Sequence, residues 1–268
     1  MKRKILFFVC AMLLSVSVAL FAACSSAEKG EFFDMIASQN ESGYIADSDN
    51  NFIDESIQGE TDANGGSETE AAAPVEEKSN DSELYILALT SSLNIRKEAS
   101  VSSAALGVMD KGDMLPYYGK VNGFYKTFYL GKDAYVSANS SYTKLYEMKI
   151  SGSEKVESVI AVAKTLMGYP YVYGATRYHN GNGKLLTGFD SAKYDCSSLT
   201  QYAYYVGAGV KLGLTTRDQV NQGKSVSKAN LKRGDLMFFT NSSRKNLTGI
   251  ERVGHVAIYL GDNYILHT

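Results

Sequence analysis

The chain has 268 residues, of which 44% are hydrophobic, so wholesale disorder is excluded and one or two packed domains are expected. A formal net charge of −2 argues against a nucleic-acid partner. Three cysteines are too few for a disulfide framework, and three histidines limit acid–base and metal chemistry. The charge is zoned: residues 1–23 carry +3, residues 24–83 carry −14 and the remainder carries +9, so each zone is interpreted separately.

Residues 1–23 have the pattern of a secretory signal peptide, in which the cationic Lys2-Arg3-Lys4 precedes an apolar run. Small residues end this run, and Cys24 follows them directly. The ending resembles the lipobox of bacterial lipoproteins, whose cysteine is lipidated, although Phe21 stands where leucine is usual. We therefore expect an exported chain that is held at the outer face of the cytoplasmic membrane by a lipid on Cys24. A retained transmembrane anchor is the alternative, because the run could nearly span a bilayer.

Residues 24–82 are predicted to form an acidic, disordered tether. The segment is rich in Ser, Asn, Asp, Glu and Gly. Its density of like charge cannot be buried, and self-repulsion favours an extended chain. Such a spacer would hold a folded body away from the membrane.

Residues 83–147 alternate short apolar runs with turn residues, which is typical of a small antiparallel β-barrel. The informative motifs are Leu93-Asn94-Ile95-Arg96, Gly123-Phe124-Tyr125-Lys126 and Gly131-Lys132-Asp133-Ala134-Tyr135-Val136-Ser137. Together they resemble a bacterial SH3-like domain, with Phe124 where the family usually has tryptophan. The resemblance implies a domain that binds cell-wall peptides or packs against a catalytic domain. A barrel that only fills space is the alternative.

The chemistry of the remaining chain centres on Cys196, which follows a scaffold helix predicted over Glu154 to Gly168. Asp195 is a natural N-cap residue, and apolar residues recur after it at helical spacing. Cys196 would therefore lie in the first turn of a helix, where unpaired N–H groups and the helix dipole favour a thiolate. A lone thiol in an oxidising compartment indicates a nucleophile, with an inert core cysteine as the alternative.

A thiolate nucleophile needs a base, and histidine is the usual one. His255 lies in a predicted strand, and His267 lies in the strand that returns after a turn at Gly261-Asp262-Asn263. A three-residue turn makes Ala257 face His267, so the two histidines share one face of the sheet. A two-residue turn would shift the register and separate them. The third histidine, His179, is predicted to be a surface loop residue.

Five motifs follow one another in order over residues 152–268. They are Tyr171-Val172-Tyr173-Gly174, Asp195-Cys196-Ser197, Lys232-Arg233-Gly234-Asp235-Leu236-Met237-Phe238-Phe239, Gly254-His255-Val256-Ala257-Ile258-Tyr259-Leu260-Gly261 and Ile265-Leu266-His267. The set resembles the NlpC-type cysteine peptidases of bacterial cell walls, which have a compact papain-like fold. The resemblance implies hydrolysis of peptidoglycan stem peptides, typically between D-glutamate and the diamino acid, with no metal or organic cofactor.

The same resemblance implies roles for individual side chains. Cys196 would be the nucleophile, His255 the base and His267 the third member, which orients the base. Tyr173 matches a family tyrosine beside the nucleophile, and the Cys196 backbone N–H would help to hold the oxyanion. A zinc site built from the cysteine and two histidines competes with this assignment, but it lacks close ligand spacing and an obvious fourth ligand.

Asp195 and Ser197 match positions that, in SH3-bearing relatives, grip the free amine of the stem peptide, and a carboxylate beside an amine is a sensible pairing. The sequence also departs from the family pattern. Ser198 stands where glycine is usual, and the stretch from Arg177 to Tyr194 is longer than expected and is predicted to be a surface loop, with a lid as the alternative. The family usually continues with more sheet beyond His267, so C-terminal truncation of the domain stays open.

These observations predict an α+β chain in which an SH3-like β-barrel at 83–147 precedes a papain-like domain at 152–268, with helices packed on an antiparallel sheet. We expect an exported, lipid-anchored and monomeric cysteine endopeptidase that cleaves stem peptides through a Cys196 thioester and acts in the cell wall. The alternatives are a non-catalytic wall-binding lipoprotein, and an amidase or acyltransferase that uses the same Cys-His site.

Overall fold

The computed structural model describes residues 81–268 and, for the backbone alone, residues 20–23 and 44–45. The remainder of the predicted leader and tether, with the predicted lipidation site Cys24, lies outside the described residues. Within the described part of the chain, no helix is both long enough and apolar enough to cross a membrane.

The described elements alternate strands and helices only in the C-terminal half of the chain. The strands are β1 Leu20–Ala23, β2 Tyr44–Ile45, β3 Ser82–Ala88, β4 Leu93–Arg96, β5 Ala105–Met109, β6 Met114–Pro116, β7 Lys120–Val121, β8 Phe124–Tyr129, β9 Lys132–Ser137, β10 Thr143–Lys149, β11 Lys224–Ser225, β12 Leu236–Phe239, β13 His255–Gly261 and β14 Tyr264–His267. The α-helices are α1 Glu154–Thr165, α2 Cys196–Ala208 and α3 Thr216–Val220, and short 3₁₀ helices cover Lys228–Asn230 and Gly249–Arg252.

Strands β3 to β10 form two small antiparallel sheets, ordered β10-β3-β6 and β5-β4-β9-β8-β7. The β8–β9 hairpin turns at Leu130-Gly131, where both residues have the positive φ that a type I′ turn requires. Tyr85, Ile95 and Val136 are almost fully buried. The predicted array of short antiparallel strands is confirmed.

The C-terminal part packs two helices beside an antiparallel sheet, which confirms the predicted α+β class. Helix α1 begins at the N-cap Ser153 and buries its apolar face against α2. The two helices approach so closely that a Cβ at Gly207 would lie 2.6 Å from the Val159 Cα, so only glycine fits there. Helix α2 packs in turn on β13, within a sheet ordered β1-β14-β13-β12, in which β1 runs antiparallel to β14.

The β13–β14 hairpin sets the relative positions of two predicted site histidines. Its turn consists of Asp262-Asn263, which both have positive φ, and is one residue shorter than the sequence predicted. A β-bulge at Leu260 supplies the extra residue, so Tyr259 still pairs with Ile265 as a three-residue turn would require. The two histidines therefore share a face, through a bulge rather than through a longer loop.

A buried ion network joins the barrel to the helical part. The Arg233 guanidinium, whose side chain is 5% exposed, donates to Glu157 of α1 at 2.9 Å, to Glu83 of β3 and to the Leu260 carbonyl at 2.8 Å. Lys164 of α1 lies 2.5 Å from the other Glu83 oxygen. Burial acts to raise the pKa of Glu83, yet the two cations hold it below its usual value. The Arg233 guanidinium thus forms ion pairs with carboxylates from both parts of the chain.

Candidate active site

Cys196 is the first residue of helix α2, as predicted. Asp195 caps the helix: its Oδ1 accepts from the Ser198 N–H at 2.8 Å, and the Ser198 Oγ accepts from the Asp195 N–H at 2.8 Å. This capping box gives a physical reason for serine at position 198. Cys196 is 6% exposed and is the one free cysteine among the described residues.

The Cys196 sulfur lies beside the start of β13. A backbone hydrogen bond reaches it from Val256, the residue that follows His255. The His255 and His267 rings stand perpendicular, with their centroids 5.1 Å apart. The His255 Nε2 and the His267 Nδ1 are both buried and lack a partner within residues 81–268. The Cys196 sulfur and the histidine pair therefore lie at the same end of β13.

The resting group is neutral. Burial raises the pKa of the Cys196 thiol to about 11, although backbone hydrogen bonds from Val256 and Ser197 act to lower it. Burial, and then the neighbouring His267, lower the pKa of His255 to about 3, and burial also lowers the pKa of His267. Burial therefore opposes the predicted resting thiolate, although Cys196 lies at a helix N-terminus.

Acid is expected to destabilise the fold through these buried imidazoles. Below about pH 6.5 the unfolded chain binds protons at these imidazoles, whereas the folded chain does not. The free energy of unfolding therefore falls as the pH drops from 6.5 towards 3. The lowered pKa of His255 alone should reduce the free energy of unfolding by about 2 kcal/mol at pH 5. Urea unfolding at pH 7 and pH 5 should show a smaller acid loss for His255→Gln than for the wild type. An equal loss in both proteins would contradict the neutral assignment.

Tyr171, and not the predicted Tyr173, is the tyrosine beside Cys196. Burial and then Cys196 raise the pKa of Tyr171 to about 12, so its hydroxyl stays protonated near the sulfur. Tyr173 is 87% exposed. It precedes Gly174 in a turn closed by the Ala175 N–H and the Val172 carbonyl, and this turn directs its ring to solvent.

The Arg177 side chain forms an ion pair with Asp195 and a hydrogen bond with Ser197. Its Nη1 lies 2.9 Å from the Asp195 Oδ2, and its Nη2 donates to the Ser197 Oγ at 3.0 Å. The Asp195 Oδ2 also accepts from the Gly174 N–H at 3.1 Å. The predicted amine-binding pair lies beside Cys196, and its role in substrate binding stays a prediction.

The extra stretch after Arg177 is anchored on helix α2. Residues 178–186 fold into a small hairpin, and Phe189 stacks on Tyr202 of α2 with ring centroids 5.3 Å apart. His179 is fully buried: its Nδ1 accepts from the Gly181 N–H at 3.0 Å and its ring packs 4.6 Å from Tyr205. The prediction of His179 as a surface residue is wrong, because the hairpin turns this ring inward.

Gln219 of α3 is a supporting residue that the sequence did not reveal. Its side chain is fully buried, its Nε2 donates to the Ser197 carbonyl at 2.9 Å, and its Oε1 accepts from the Thr200 hydroxyl at 2.8 Å. It thereby ties α3 to the first turn of α2. No local pattern marks it in the sequence. Over the described ranges, no group of three or more His, Cys, Asp or Glu side chains is placed to hold a metal ion.

Family models match both parts of the chain. The NlpC/P60 family model matches residues 168–268, and the bacterial SH3 domain model matches residues 91–144.

The chain is similar to peptidoglycan-active proteins over its C-terminal part. It is 34% identical to peptidoglycan DL-endopeptidase CwlO of Bacillus licheniformis over 119 residues, which are 44% of this chain and 23% of that protein. It is 30% identical to the gamma-D-glutamyl-L-lysine dipeptidyl-peptidase of Bacillus cereus, over 42% of this chain and 28% of that protein. The solved structure of the peptidoglycan hydrolase RipB from Mycobacterium tuberculosis is 34% identical, with a TM-score of 0.32 and coverage of 42% of this chain and 52% of that one. The chain thus spans less than a third of the length of the two curated relatives.

Proposed function

Because the chain carries an NlpC/P60 domain behind a bacterial SH3 domain, we propose that it is an exported peptidoglycan hydrolase. It is a cysteine endopeptidase that cleaves stem peptides between D-glutamate and the diamino acid. The observation that supports the proposal is that Cys196 begins a helix and accepts a backbone hydrogen bond from Val256, whose neighbour His255 contacts His267. The wider assignment comprises a leader at 1–23 with a lipid on Cys24, a tether at 24–82, and domains at 83–147 and 152–268.

In the proposed acylation step, the Cys196 Sγ attacks the carbonyl carbon of the scissile amide while His255 takes the thiol proton. The oxyanion forms at the N-terminus of α2, where the Cys196 N–H has no acceptor within the helix. Collapse of the intermediate breaks the carbon–nitrogen bond, and the imidazolium gives its proton to the departing amine. A thioester remains on Cys196. Water, deprotonated by His255, then hydrolyses it and regenerates the thiol.

The His255–His267 pair suits these proton transfers. Two buried nitrogens, the His255 Nε2 and the His267 Nδ1, each lack a hydrogen-bond partner within the described residues. When His255 becomes an imidazolium, its Nε2–H can donate to the His267 Nδ1, and its Nδ1 is left for the thiol proton. His267 is therefore proposed as a positioning residue. Its lowered pKa keeps it neutral and able to accept.

A neutral resting pair also suits a thiol that works outside the cytoplasm. The thiolate is the form that oxidants attack, and burial keeps Cys196 as a thiol until substrate arrives. We propose that the charged pair forms only with the scissile carbonyl in place, where the helix N-terminus receives the new negative charge.

We propose the Tyr171 hydroxyl as a second donor to the oxyanion, so Tyr171→Phe is expected to lower kcat by about 10²-fold, the cost of losing one such donor. The reason is that the Tyr171 hydroxyl lies near Cys196 and stays protonated at neutral pH. Tyr173→Phe is the matched control, and it should leave kcat unchanged because that ring is in solvent. Steady-state kinetics on one defined peptide measures both variants. A larger loss for Tyr173→Phe would instead restore Tyr173 to the site.

The proposed function is tested by mass spectrometry of purified muropeptides after incubation with the full chain. The expected products end at D-glutamate on one fragment and begin with the diamino acid on the other. Unchanged muropeptides together with retention on insoluble cell wall would instead identify a non-catalytic wall-binding protein. Release of the whole stem peptide from the glycan would identify an amidase, and either result would overturn the endopeptidase proposal.

A further inference from the structure

We propose that Arg177 is a specificity residue that makes the site favour stem peptides whose N-terminal nitrogen is acylated over peptides with a free ammonium. This inference rests on the proposed peptidase function. Acylation is the state of a stem peptide that is still joined to its glycan, so the preferred substrate is intact wall rather than released peptide.

The first support is that Asp195 has no acceptor left for a substrate cation. Its Oδ1 accepts from the Ser198 N–H at 2.8 Å and from the Ser197 hydroxyl at 3.2 Å. Its Oδ2 accepts from the Gly174 N–H at 3.1 Å and from Arg177 at 2.9 Å. A carboxylate with both oxygens doubly engaged is satisfied, and a ligand amine would have to displace one of these donors.

The second support is the charge at this point. The guanidinium of Arg177 and the carboxylate of Asp195 are 14% and 6% exposed, so the pair is shielded from solvent and is neutral overall. An ammonium group that approaches Asp195 meets a cation already in place, and like charges in a shielded site cost binding energy. A neutral amide nitrogen meets no such opposition.

The third support is that the guanidinium is fixed in position. Beyond Asp195 and Ser197, its Nη1 donates to the Ala175 carbonyl at 2.5 Å and its Nε donates to the Leu214 carbonyl. The side chain therefore spans from the start of the extra stretch to the loop before α3. Movement of Arg177 to admit an ammonium would break all of these hydrogen bonds at once, so the guanidinium stays beside Asp195 when substrate binds.

The test compares two synthetic tripeptides, L-alanyl-γ-D-glutamyl-diaminopimelate with a free amine and the same peptide with an N-acetyl group. At pH 7 the wild-type chain should show a kcat/KM at least about tenfold higher for the acetylated peptide. As the pH rises through about 8, where an α-ammonium loses its proton, the rate on the free peptide should climb towards the acetylated rate. A wild-type preference for the free amine, or equal rates at pH 7, would overturn the inference.

Arg177→Gln should lower the ratio of the two kcat/KM values by about tenfold, because Asp195 regains an uncompensated charge. Arg217→Gln is the matched control: it removes a partly exposed arginine that pairs with Glu251 at 3.7 Å, and it should leave the ratio unchanged. An unchanged ratio in Arg177→Gln would contradict the assignment. If Arg177→Gln fails to fold, the wild-type ratio and its pH dependence decide. Absence of cleavage of both peptides would instead overturn the peptidase proposal itself.

Discussion

His255→Gln is expected to reduce kcat/KM by about 10²- to 10⁴-fold, the range that positioned proton transfer supplies. The Cys196 thiol has a pKa of about 11, so at neutral pH it cannot become a nucleophile without a base. His255 lies next to the residue whose backbone bonds the sulfur, and its ring is held against His267. Glutamine keeps hydrogen-bonding capacity but accepts no proton.

The matched control for this prediction is His179→Gln. His179 is also buried and also has a pKa lowered by burial, but it packs on Tyr205 in the extra hairpin. Its replacement should change thermal stability without a comparable loss of kcat/KM. Steady-state kinetics and a thermal melt on the three proteins separate chemistry from folding. Equal kinetic losses in both variants would show that histidine burial, and not base catalysis, carries the effect.

Arg233→Met is expected to lower the free energy of unfolding by about 3–5 kcal/mol, the typical cost of removing one partner of a buried ion pair. Methionine fills much of the volume but leaves Glu157 and part of Glu83 without their cation. Loss of the bond to the Leu260 carbonyl adds an unsatisfied acceptor. The same change removes the ion pairs that join the barrel to the C-terminal part.

Urea unfolding at pH 7 measures this effect, with Arg217→Met as the control because its ion pair with Glu251 is largely exposed. The control should lose less than about 1 kcal/mol. The double variant Arg233→Met with Glu157→Gln should recover part of the loss, because Glu157 is the carboxylate that Arg233→Met leaves without a cation. A loss below about 1 kcal/mol for Arg233→Met would show that the network does not stabilise the chain.

Local chemistry made much of the site predictable from the sequence. An N-cap aspartate before an apolar helical pattern placed Cys196 in the first turn of α2, and this prediction is confirmed. The pairing of His255 and His267 also followed from strand and turn signals. The predicted register is correct although the turn is shorter, because the bulge at Leu260 compensates for the missing turn residue. No feature of the sequence indicates this bulge.

Contacts between distant segments were not predictable. Arg177 reaches Asp195 only because the chain from Gly174 folds back over the helix N-terminus, and Gln219 reaches Ser197 from a separate helix. The pKa of the Cys196 thiol is a further case: the helix N-terminus is visible in the sequence, whereas the burial that raises this pKa depends on tertiary packing.

The choice between Tyr171 and Tyr173 depended on one turn. Both residues belong to the same extended motif, and the sequence alone does not tell which one faces the thiol. The backbone bridge between Tyr171 and Tyr194, the residue before the N-cap, holds Tyr171 beside the start of α2. Positive φ at Gly174 turns the chain away after it.

The central claim is that Cys196 cleaves a stem peptide, and one measurement tests it most directly. Full-length wild type and the Cys196→Ala variant are incubated with N-acetyl-L-alanyl-γ-D-glutamyl-diaminopimelate, and the products are identified by mass spectrometry. The wild type should release free diaminopimelate and N-acetyl-L-alanyl-D-glutamate, while the variant, with an unchanged thermal melt, should leave the peptide whole. Release of the same fragments by Cys196→Ala at the wild-type rate would contradict the account.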